Sequence, residues 1–261
     1  MSPPFEPLPA VIRGTGKPVV FLHGYPLNHS TWNAQLAPLS RGRKIVLLDF
    51  PGYGLADGRE IPTTLQGFSE TVHSTLEGLS LSPATIIGHS FGGYVALQLY
   101  RDHPDQFQAL GLVSTRSEAD TPETRTKRLA TAARLRTAGE TLDIEGTTRS
   151  LLSETTWNQR SELVQTVREI IQAATTRAVI PTLQAIADRP DLTPVLPTIQ
   201  VPTLVLWGES DGLIPNAQTQ ALVGRIRGAQ GMGFPDAGHL AALETPAAFN
   251  VAMLRFLDAH P

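Results

Sequence analysis

Residues 85–93 read TIIGHSFGG, and this stretch decides the fold more than any other part of the chain. A short apolar run enters a Gly-x-Ser-x-Gly pattern centred on Ser90, and a helical pattern follows it. A strand that turns directly into a helix at such a serine is the context of a nucleophile elbow. The turn is so tight that a Cβ at Gly88 or Gly92 would collide with a neighbouring strand or helix. We therefore predict that Ser90 is a strained nucleophile at the amino end of a helix, whose dipole favours negative charge.

Further short apolar runs predict the strands that flank this elbow. They lie at residues 19–22, 45–48, 110–113 and 203–207. Continuous apolar runs of this length suit strands that are buried on both faces. Helical patterns separate most of them, so we predict an α/β fold with a mostly parallel sheet and helices on both faces.

The stretch from residue 118 to residue 198 has no convincing strand. Thr121 and Pro122 have the form of an N-cap followed by proline at the first helical position, and the helix that they begin is expected to end at Gly139. Two further helical patterns lie at residues 161–173 and 176–187.

We interpret this stretch as an all-helical cap, residues 118–198, inserted between two parts of an α/β core at residues 1–117 and 199–261. Ordinary connecting helices are the alternative.

Composition limits the classes of function. The 261 residues are 41% hydrophobic and 17% charged, with a net charge of −3, which is typical of a globular protein and not of a disordered one. The charge gives no footprint for a nucleic-acid or membrane partner. The absence of cysteine excludes disulfides, thiolate zinc sites and a cysteine nucleophile.

We expect a cytoplasmic protein. The Pro-rich first ten residues lack the pattern of a signal peptide, and no apolar run approaches the roughly 18 residues of a membrane span. No pair of the remaining histidines has metal-ligand spacing at a helical interval. We predict no metal and no cofactor. The expected partner is a small molecule, and the formation of a homo-oligomer is left open.

The oxyanion hole needs about two backbone N–H donors that are fixed in advance. Phe91, directly after the nucleophile, is predicted to give one. The second is predicted from Tyr25, which follows a buried strand and the pair His23-Gly24. Gly24 lets the backbone approach closely, Pro26 stiffens the loop, and His23 is expected to hold it by hydrogen bonds.

The acid and the base are expected to follow the nucleophile in that order. Asp211 lies just past the strand at residues 203–207, with Glu209 as the less favoured alternative. His239 follows Gly238, which is expected to permit a sharp turn that aims the ring at Ser90. Asp211 would hold the ring tautomer and stabilise the imidazolium.

Other polar residues receive structural interpretations. His29 and His73 are expected on the surface. The loop that runs from Asp49 to Leu55 is expected to be structural, with a role in lining the pocket as the alternative.

Taken together, these motifs resemble the α/β-hydrolase family. The segments that carry the resemblance are HGYP at 23–26, DFPGYG at 49–54, GHSFGG at 88–93, GESD at 208–211 and GH at 238–239. The branch that they are most similar to holds small bacterial esterases, lactonases and cofactor-free perhydrolases, and residues 119–123 resemble 3-oxoadipate enol-lactonase-like sequences. Haloalkane dehalogenases and epoxide hydrolases share the layout but carry Asp where this chain has Ser90. The short segment before Val19 implies a reduced N-terminal antiparallel hairpin.

The expected function is hydrolysis of carboxylic esters or lactones through an acyl-enzyme. Leu-rich cap helices suggest an apolar pocket for a small to medium acyl group. A perhydrolase or C–C bond hydrolase is the first alternative, and Pro26 after the oxyanion donor resembles the perhydrolase branch. A slow-turnover ligand receptor that keeps the triad is the second.

Overall fold

The computed structural model describes residues 6–137 and 141–260, and a seven-stranded sheet forms its centre. The strands are β1 (Ala10–Arg13), β2 (Lys17–Leu22), β3 (Arg43–Leu48), β4 (Ala84–His89), β5 (Phe107–Val113), β6 (Thr203–Gly208) and β7 (Gln230–Phe234). Their order across the sheet is β1-β3-β2-β4-β5-β6-β7. Strands β2 to β7 pair in parallel, and β1 pairs antiparallel with β3 at one edge. The predicted fold class is confirmed, and the single strand β1 is the antiparallel part that precedes β2.

Helices connect the strands and cover both faces of the sheet. Those among the described residues are α1 (Asn33–Leu39), α2 (Leu65–Gly78), α3 (Phe91–Asp102), α4 (Pro122–Thr137), α5 (Ile144–Leu151), α6 (Glu154–Gln159), α7 (Ser161–Gln172), α8 (Thr176–Ala187), α9 (Asn216–Arg225), α10 (Ala241–Glu244) and α11 (Pro246–Ala259). Short 3-10 turns lie at His29–Trp32, Gly54–Ala56, Pro104–Gln106 and Thr193–Thr198.

The apolar runs of the strands are explained by burial on both sides. Successive residues of a strand point to opposite faces. Val20 and Leu22 accordingly pack in the cluster that includes residues of α2 and α3, whereas Val19 and Phe21 pack against α11. Polar residues at either set of positions would lose solvent without gaining a partner, which is why the runs are continuous rather than alternating.

Five helices, α4 to α8, follow β5 and precede β6. They carry apolar clusters of their own. One joins α4 to α8 through Leu135 and Val179, and the other joins α5 and α7 to Leu27 and Leu240 of the rest of the chain. The N–H of Thr124 donates to the Oγ1 of Thr121 at 3.3 Å, so Thr121 caps α4 as predicted. The predicted stop at Gly139 lies outside the described residues.

Several elements were not predicted from the sequence. Strand β7 reads QGMGF, and most of its residues are exposed, so it shows neither an apolar run nor a clear alternation. The short helices α5 and α6 begin at the capping side chains of Asp143 and Ser153, and they were missed because the apolar face of each is too short to stand out. Within the described residues, no helix has the length and apolar character needed to cross a bilayer.

Candidate active site

Ser90 lies at the junction of β4 and α3, at the carboxyl end of the parallel strands. Its backbone has φ 51° and ψ −112°, a left-handed conformation that is rare for residues other than glycine. The strain is held by tertiary contacts. The Ser90 N–H donates to the Val113 carbonyl at 2.9 Å, and the Ser90 carbonyl accepts from the Thr115 hydroxyl at 2.8 Å. A strained residue that its surroundings hold so firmly is typical of a functional site.

Two glycines allow the turn at Ser90 to form. A Cβ on Gly88 would lie 2.3 Å from the carbonyl oxygen of Gly92, and a Cβ on Gly92 would lie 2.5 Å from the carbonyl oxygen of Leu22. Both contacts are with backbone, which cannot move aside as a flexible side chain could. Strand β4, helix α3 and the end of β2 therefore meet closely enough to fix the position of Ser90.

The loop after β2 is tied to the loop after β3 through His23. The buried His23 ring donates from Nδ1 to the Gly24 carbonyl at 2.8 Å and accepts at Nε2 from the Phe50 N–H at 3.0 Å. Burial lowers the pKa of His23, which matches a neutral ring in this role. A Cβ on Gly24 would lie 2.6 Å from His89 Nδ1, so glycine keeps this loop close to the serine. Tyr25 and Phe91, the predicted oxyanion donors, line the same cavity as Ser90.

The loop that begins at Asp49 is held in place through the Asp49 carboxylate. Its carboxylate is fully buried and accepts from the N–H groups of His29 and Leu55 at 2.6 and 2.8 Å. The Nδ1 of His29 lies 2.6 Å from Oδ2 of Asp49, the oxygen that also accepts from the Leu55 N–H. The His29 side chain is 17% exposed, so the expectation of a surface His29 was wrong. His73 is also half-buried, stacked on His103 with ring centres 3.8 Å apart.

Asp211 and His239 form a buried pair. The Oδ2 of Asp211 lies 2.7 Å from the Nδ1 of His239, and both side chains are about 2% exposed or less. The Oδ1 of Asp211 accepts from the N–H groups of Leu213 and Ile214 at 2.8 and 3.0 Å. Burial acts against ionisation of Asp211, but His239 and these two N–H groups outweigh it and lower the pKa of the carboxyl. The competing acid, Glu209, is exposed.

The backbone of His239 is held from two sides. Its N–H donates to the Leu151 carbonyl of α5 at 3.1 Å, and its carbonyl lies 2.9 Å from Nε2 of His89. His89 is the residue directly before the serine. Burial, together with the nearby His239, lowers the pKa of His89 to about 3, so the ring is neutral and donates from Nε2.

Gly238 has a different function from the one expected. Its φ is not in the left-handed region, so a sharp turn is not what requires glycine. A Cβ there would lie 2.5 Å from the backbone nitrogen of Ser153, in the loop between α5 and α6. The carboxylate of Glu244 joins the two segments, because Oε1 accepts from the Gly238 N–H at 2.8 Å and Oε2 accepts from the Ser153 N–H at 2.9 Å. Sequence reasoning missed both His89 and Glu244.

Replacing Glu244 by glutamine is expected to lower the free energy of unfolding by about 1–3 kcal/mol. Glutamine keeps one acceptor oxygen, so either Gly238 or Ser153 is left with a buried N–H and no partner. We also expect kcat to fall, because Gly238 precedes His239. Urea denaturation and initial rates measure the two effects. The same substitution at the exposed Glu60 should change stability by no more than about 0.5 kcal/mol; equal effects of the two would contradict the bridging function of Glu244.

Replacing His89 by glutamine is expected to reduce the loss of stability in acid. Below about pH 6.5 the unfolded chain binds a proton at His89 that the folded chain does not, so the free energy of unfolding falls by about 1.4 kcal/mol for each pH unit. Glutamine removes this proton but can still donate to the His239 carbonyl. Urea denaturation between about pH 6.5 and about pH 4.5 measures the two slopes. Identical slopes for wild type and variant would contradict a neutral, buried His89.

Ser90 and His239 line one cavity of about 340 Å³, within the usual range for small-molecule sites. Apolar side chains from both the core and the helical segment contribute to it, including those of Phe91, Leu151 and Ile186. The expectation of an apolar pocket was wrong in part, since Arg116 and Arg128 also line it. No residue of the 49–55 loop lines this cavity, which favours the structural interpretation of that loop over a role in lining the pocket.

A larger cavity of about 850 Å³ lies at the opposite edge of the sheet. It is lined by residues at the amino ends of the strands, such as Lys17, Arg43 and Thr85, and by neither Ser90 nor His239. Ligands of open α/β sheets bind beyond the carboxyl ends of the strands. The smaller cavity is therefore the candidate active site. Across residues 6–137 and 141–260, no group of three or more metal-ligating side chains is placed to hold a metal ion.

Comparisons with known proteins agree with this fold. A family model described as "Alpha/beta hydrolase family" matches residues 19–252. Among solved structures, a thermophilic esterase from Thermogutta terrifontis, with malate bound, is similar at a TM-score of 0.92 and 30% sequence identity. The match covers 97% of this chain and 94% of the esterase.

Two curated relatives are similar at 28% identity. One is BpoC from Mycobacterium tuberculosis, assigned as a non-heme bromoperoxidase, and the match covers 94% of this chain and 95% of that protein. The other is the dihydrolipoyllysine-residue acetyltransferase component of the acetoin cleaving system from Pseudomonas putida. The match covers 94% of this chain but 64% of that relative, so this chain spans less than two thirds of its length.

Proposed function

This chain belongs to the alpha/beta hydrolase family, and we propose that it is a serine hydrolase that cleaves carboxylic esters or lactones of small to medium acyl groups. One observation carries the proposal. Ser90, with its strained backbone, shares a cavity with His239, and the far side of the His239 ring is held 2.7 Å from the ionised, buried Asp211.

The first half of the proposed reaction forms an acyl-enzyme. His239 takes the proton of the Ser90 hydroxyl at Nε2 while Oγ attacks the ester carbonyl. The N–H groups of Tyr25 and Phe91 stabilise the oxyanion, and the amino end of α3 adds a favourable dipole. The tetrahedral intermediate collapses, and His239 gives its proton to the leaving alcohol.

The second half uses the same groups on water. His239 removes a proton from water, the hydroxide attacks the acyl carbonyl, and Ser90 leaves with the proton that His239 returns. A lactone opens in the first half instead of losing an alcohol, and the product leaves as one hydroxy acid. The helical segment α4 to α8 acts as the cap in this proposal, because Leu151 both lines the cavity and accepts from the His239 N–H.

The experiment is a panel of p-nitrophenyl esters from acetate to octanoate, followed by the absorbance of the released p-nitrophenolate, with mass spectrometry of the quenched enzyme. We expect many turnovers, an optimum in chain length, and a transient mass increase of one acyl group on the peptide that contains Ser90. Bound ester without multiple turnover would overturn the proposal and favour a slow-turnover receptor on the same fold.

Perhydrolysis is a second candidate, supported by the likeness to BpoC and by Pro26 after Tyr25. The acyl-enzyme formed from a carboxylic acid, with loss of water, would be attacked by hydrogen peroxide in place of water, giving a peracid and free Ser90. Peracid formation from acetate and hydrogen peroxide measures this activity. If no peracid forms under conditions where esters are hydrolysed, perhydrolysis is excluded and ester hydrolysis remains as the proposed activity.

A further inference from the structure

Two arginines line the cavity that contains the serine and the histidine. They are Arg116, which follows β5, and Arg128 on α4, with side chains 13% and 28% exposed. The described residues that line the cavity include no aspartate or glutamate. Positive charge close to a nucleophile, without an acidic side chain on the same wall, is a feature that needs a physical reason.

The arginines are not fully neutralised by their protein partners. The buried carboxylate of Asp120 contacts Arg116 at 2.7 Å, Arg128 at 2.7 Å and Arg189 at 2.8 Å. One negative charge faces three positive charges, so the group carries a net charge of +2. The neighbouring Glu118 does not cancel this net charge, because Glu118 forms its own ion pair with Arg225 at 3.6 Å.

Arg189 is the most deeply buried of the three arginines that contact Asp120, with its side chain 1% exposed. It is buried, donates to the carbonyls of Ile186 and Glu118, and lies over the Tyr94 ring at 4.3 Å. Its functions are therefore inside the protein. Arg116 and Arg128 are the members of the group that reach the cavity.

Both cavity arginines keep donors for a ligand. The hydrogen bond of Arg128 to the described residues uses Nε, which leaves its two terminal nitrogens for other acceptors. Arg116 donates from its two terminal nitrogens to Asp120 at 2.7 Å and to Gln218 at 3.2 Å, which leaves one N–H on each of them, while its buried Nε has no hydrogen-bond partner among the described residues. The charge of Arg128 also acts on the phenol of Tyr25: burial raises the pKa of Tyr25, and Arg128 opposes that rise. Arg128 therefore lies close to the loop that is proposed to bind the oxyanion.

We propose that Arg116 and Arg128 form a subsite for a free carboxylate on the substrate, so that the enzyme prefers esters or lactones that carry a second, unesterified carboxyl group. The planar guanidinium fork matches the two oxygens of a carboxylate. The apolar side chains of Leu151 and Ile186 line the same cavity and suit the methylene chain between the two carboxyl groups. This inference rests on the proposed ester hydrolysis and names its substrate class.

The test compares matched esters that differ in charge alone. The anionic set is the p-nitrophenyl monoesters of glutaric, adipic and pimelic acids. The neutral set replaces the free carboxylate by an isopropyl group of the same shape, giving the 5-methylhexanoate, 6-methylheptanoate and 7-methyloctanoate esters. We expect kcat/KM to be about 10- to 100-fold higher for at least one anionic ester than for its neutral partner.

Arg128→Gln and Arg116→Gln are each expected to lower this ratio about tenfold. The neutral ester serves as an internal reference, so a general loss of folded enzyme does not change the ratio. Arg125→Gln, an exposed arginine on the same helix that pairs with Asp188, should keep the wild-type ratio. A wild-type ratio near one, or a ratio that neither cavity variant lowers, overturns the subsite while leaving ester hydrolysis intact.

If neither ester set is hydrolysed, the proposed ester hydrolysis is overturned, and the carboxylate subsite is then tested by a binding measurement. Glutarate and adipate should raise the thermal unfolding temperature of the wild type, because a ligand that binds the folded state stabilises it. Sodium chloride at the same ionic strength provides the control. We expect the increase to be lost in Arg128→Gln; no increase in the wild type would overturn the subsite independently of catalysis.

Discussion

Ser90→Ala is expected to lower kcat for ester hydrolysis by about five to six orders of magnitude. The substitution removes the Oγ that is proposed to form the acyl-enzyme but leaves His239, Asp211 and the backbone N–H groups of the proposed oxyanion hole in place. Those groups can still act on bound ester and water, which sets a small residual rate. Initial rates with the best p-nitrophenyl ester measure the loss, at enzyme concentrations high enough to detect the residual rate.

A second serine provides a closely matched control. Ser114 lies at the end of β5, beside β4, and has φ 44°, close to the 51° of Ser90. Its Oγ is buried and has no hydrogen-bond partner among the described residues. Ser114→Ala should therefore retain activity within a few-fold of wild type and should not reduce stability. If Ser90→Ala retained more than about one hundredth of the wild-type rate, a serine nucleophile at this position would be excluded.

The five doubly buried strands, β2 to β6, and the elbow could be predicted because the information for them is local. Doubly buried strands need continuous apolar runs, and the turn at Ser90 needs glycine on each side within two residues. The order of Ser90, Asp211 and His239 along the chain then limited the choice of acid and base. Asp211 and His239 come together on the loops that follow β6 and β7, and each was predicted to lie on such a loop.

The supports of the site could not be predicted, because they depend on contacts between distant parts of the chain. Glu244 bridges Gly238 and Ser153, and the second of these is 91 residues away. His89 meets the His239 carbonyl across 150 residues. No local pattern marks either residue, and in the sequence His89 is only the variable position of the elbow.

The charge of the cavity was missed for a related reason. Counting leucines in the helical segment predicts an apolar interior, but it does not say which face of α4 turns toward the serine. Leu135 packs against α8, whereas Arg128, on the same helix, lines the cavity. The rotation of a helix about its axis is set by packing, so the composition of a pocket wall follows from the folded structure and not from the composition of the segment.

Asp211→Asn is expected to lower kcat about ten-thousandfold with little change in stability. The asparagine oxygen can still accept from the N–H groups of Leu213 and Ile214, which keeps the loop after β6 in place. Its amide nitrogen then occupies the position of Oδ2, 2.7 Å from Nδ1 of His239. An amide nitrogen only donates, so Nδ1 must accept and the ring proton moves to Nε2. In the proposed mechanism Nε2 takes the proton of Ser90, and in this tautomer it cannot.

Kinetics and stability together separate this effect from a folding defect. Initial rates give the loss of kcat, and thermal unfolding of the same preparation should show a midpoint within a few degrees of wild type, as expected for a change of about 1 kcal/mol or less. Glu209→Gln, the same chemical change at the exposed acid two residues earlier, should leave kcat within a few-fold of wild type. If Glu209→Gln caused the large loss and Asp211→Asn did not, the acid would be Glu209. The 2.7 Å contact between Asp211 and His239 would then have to break in the working enzyme, which the two N–H bonds to Asp211 oppose.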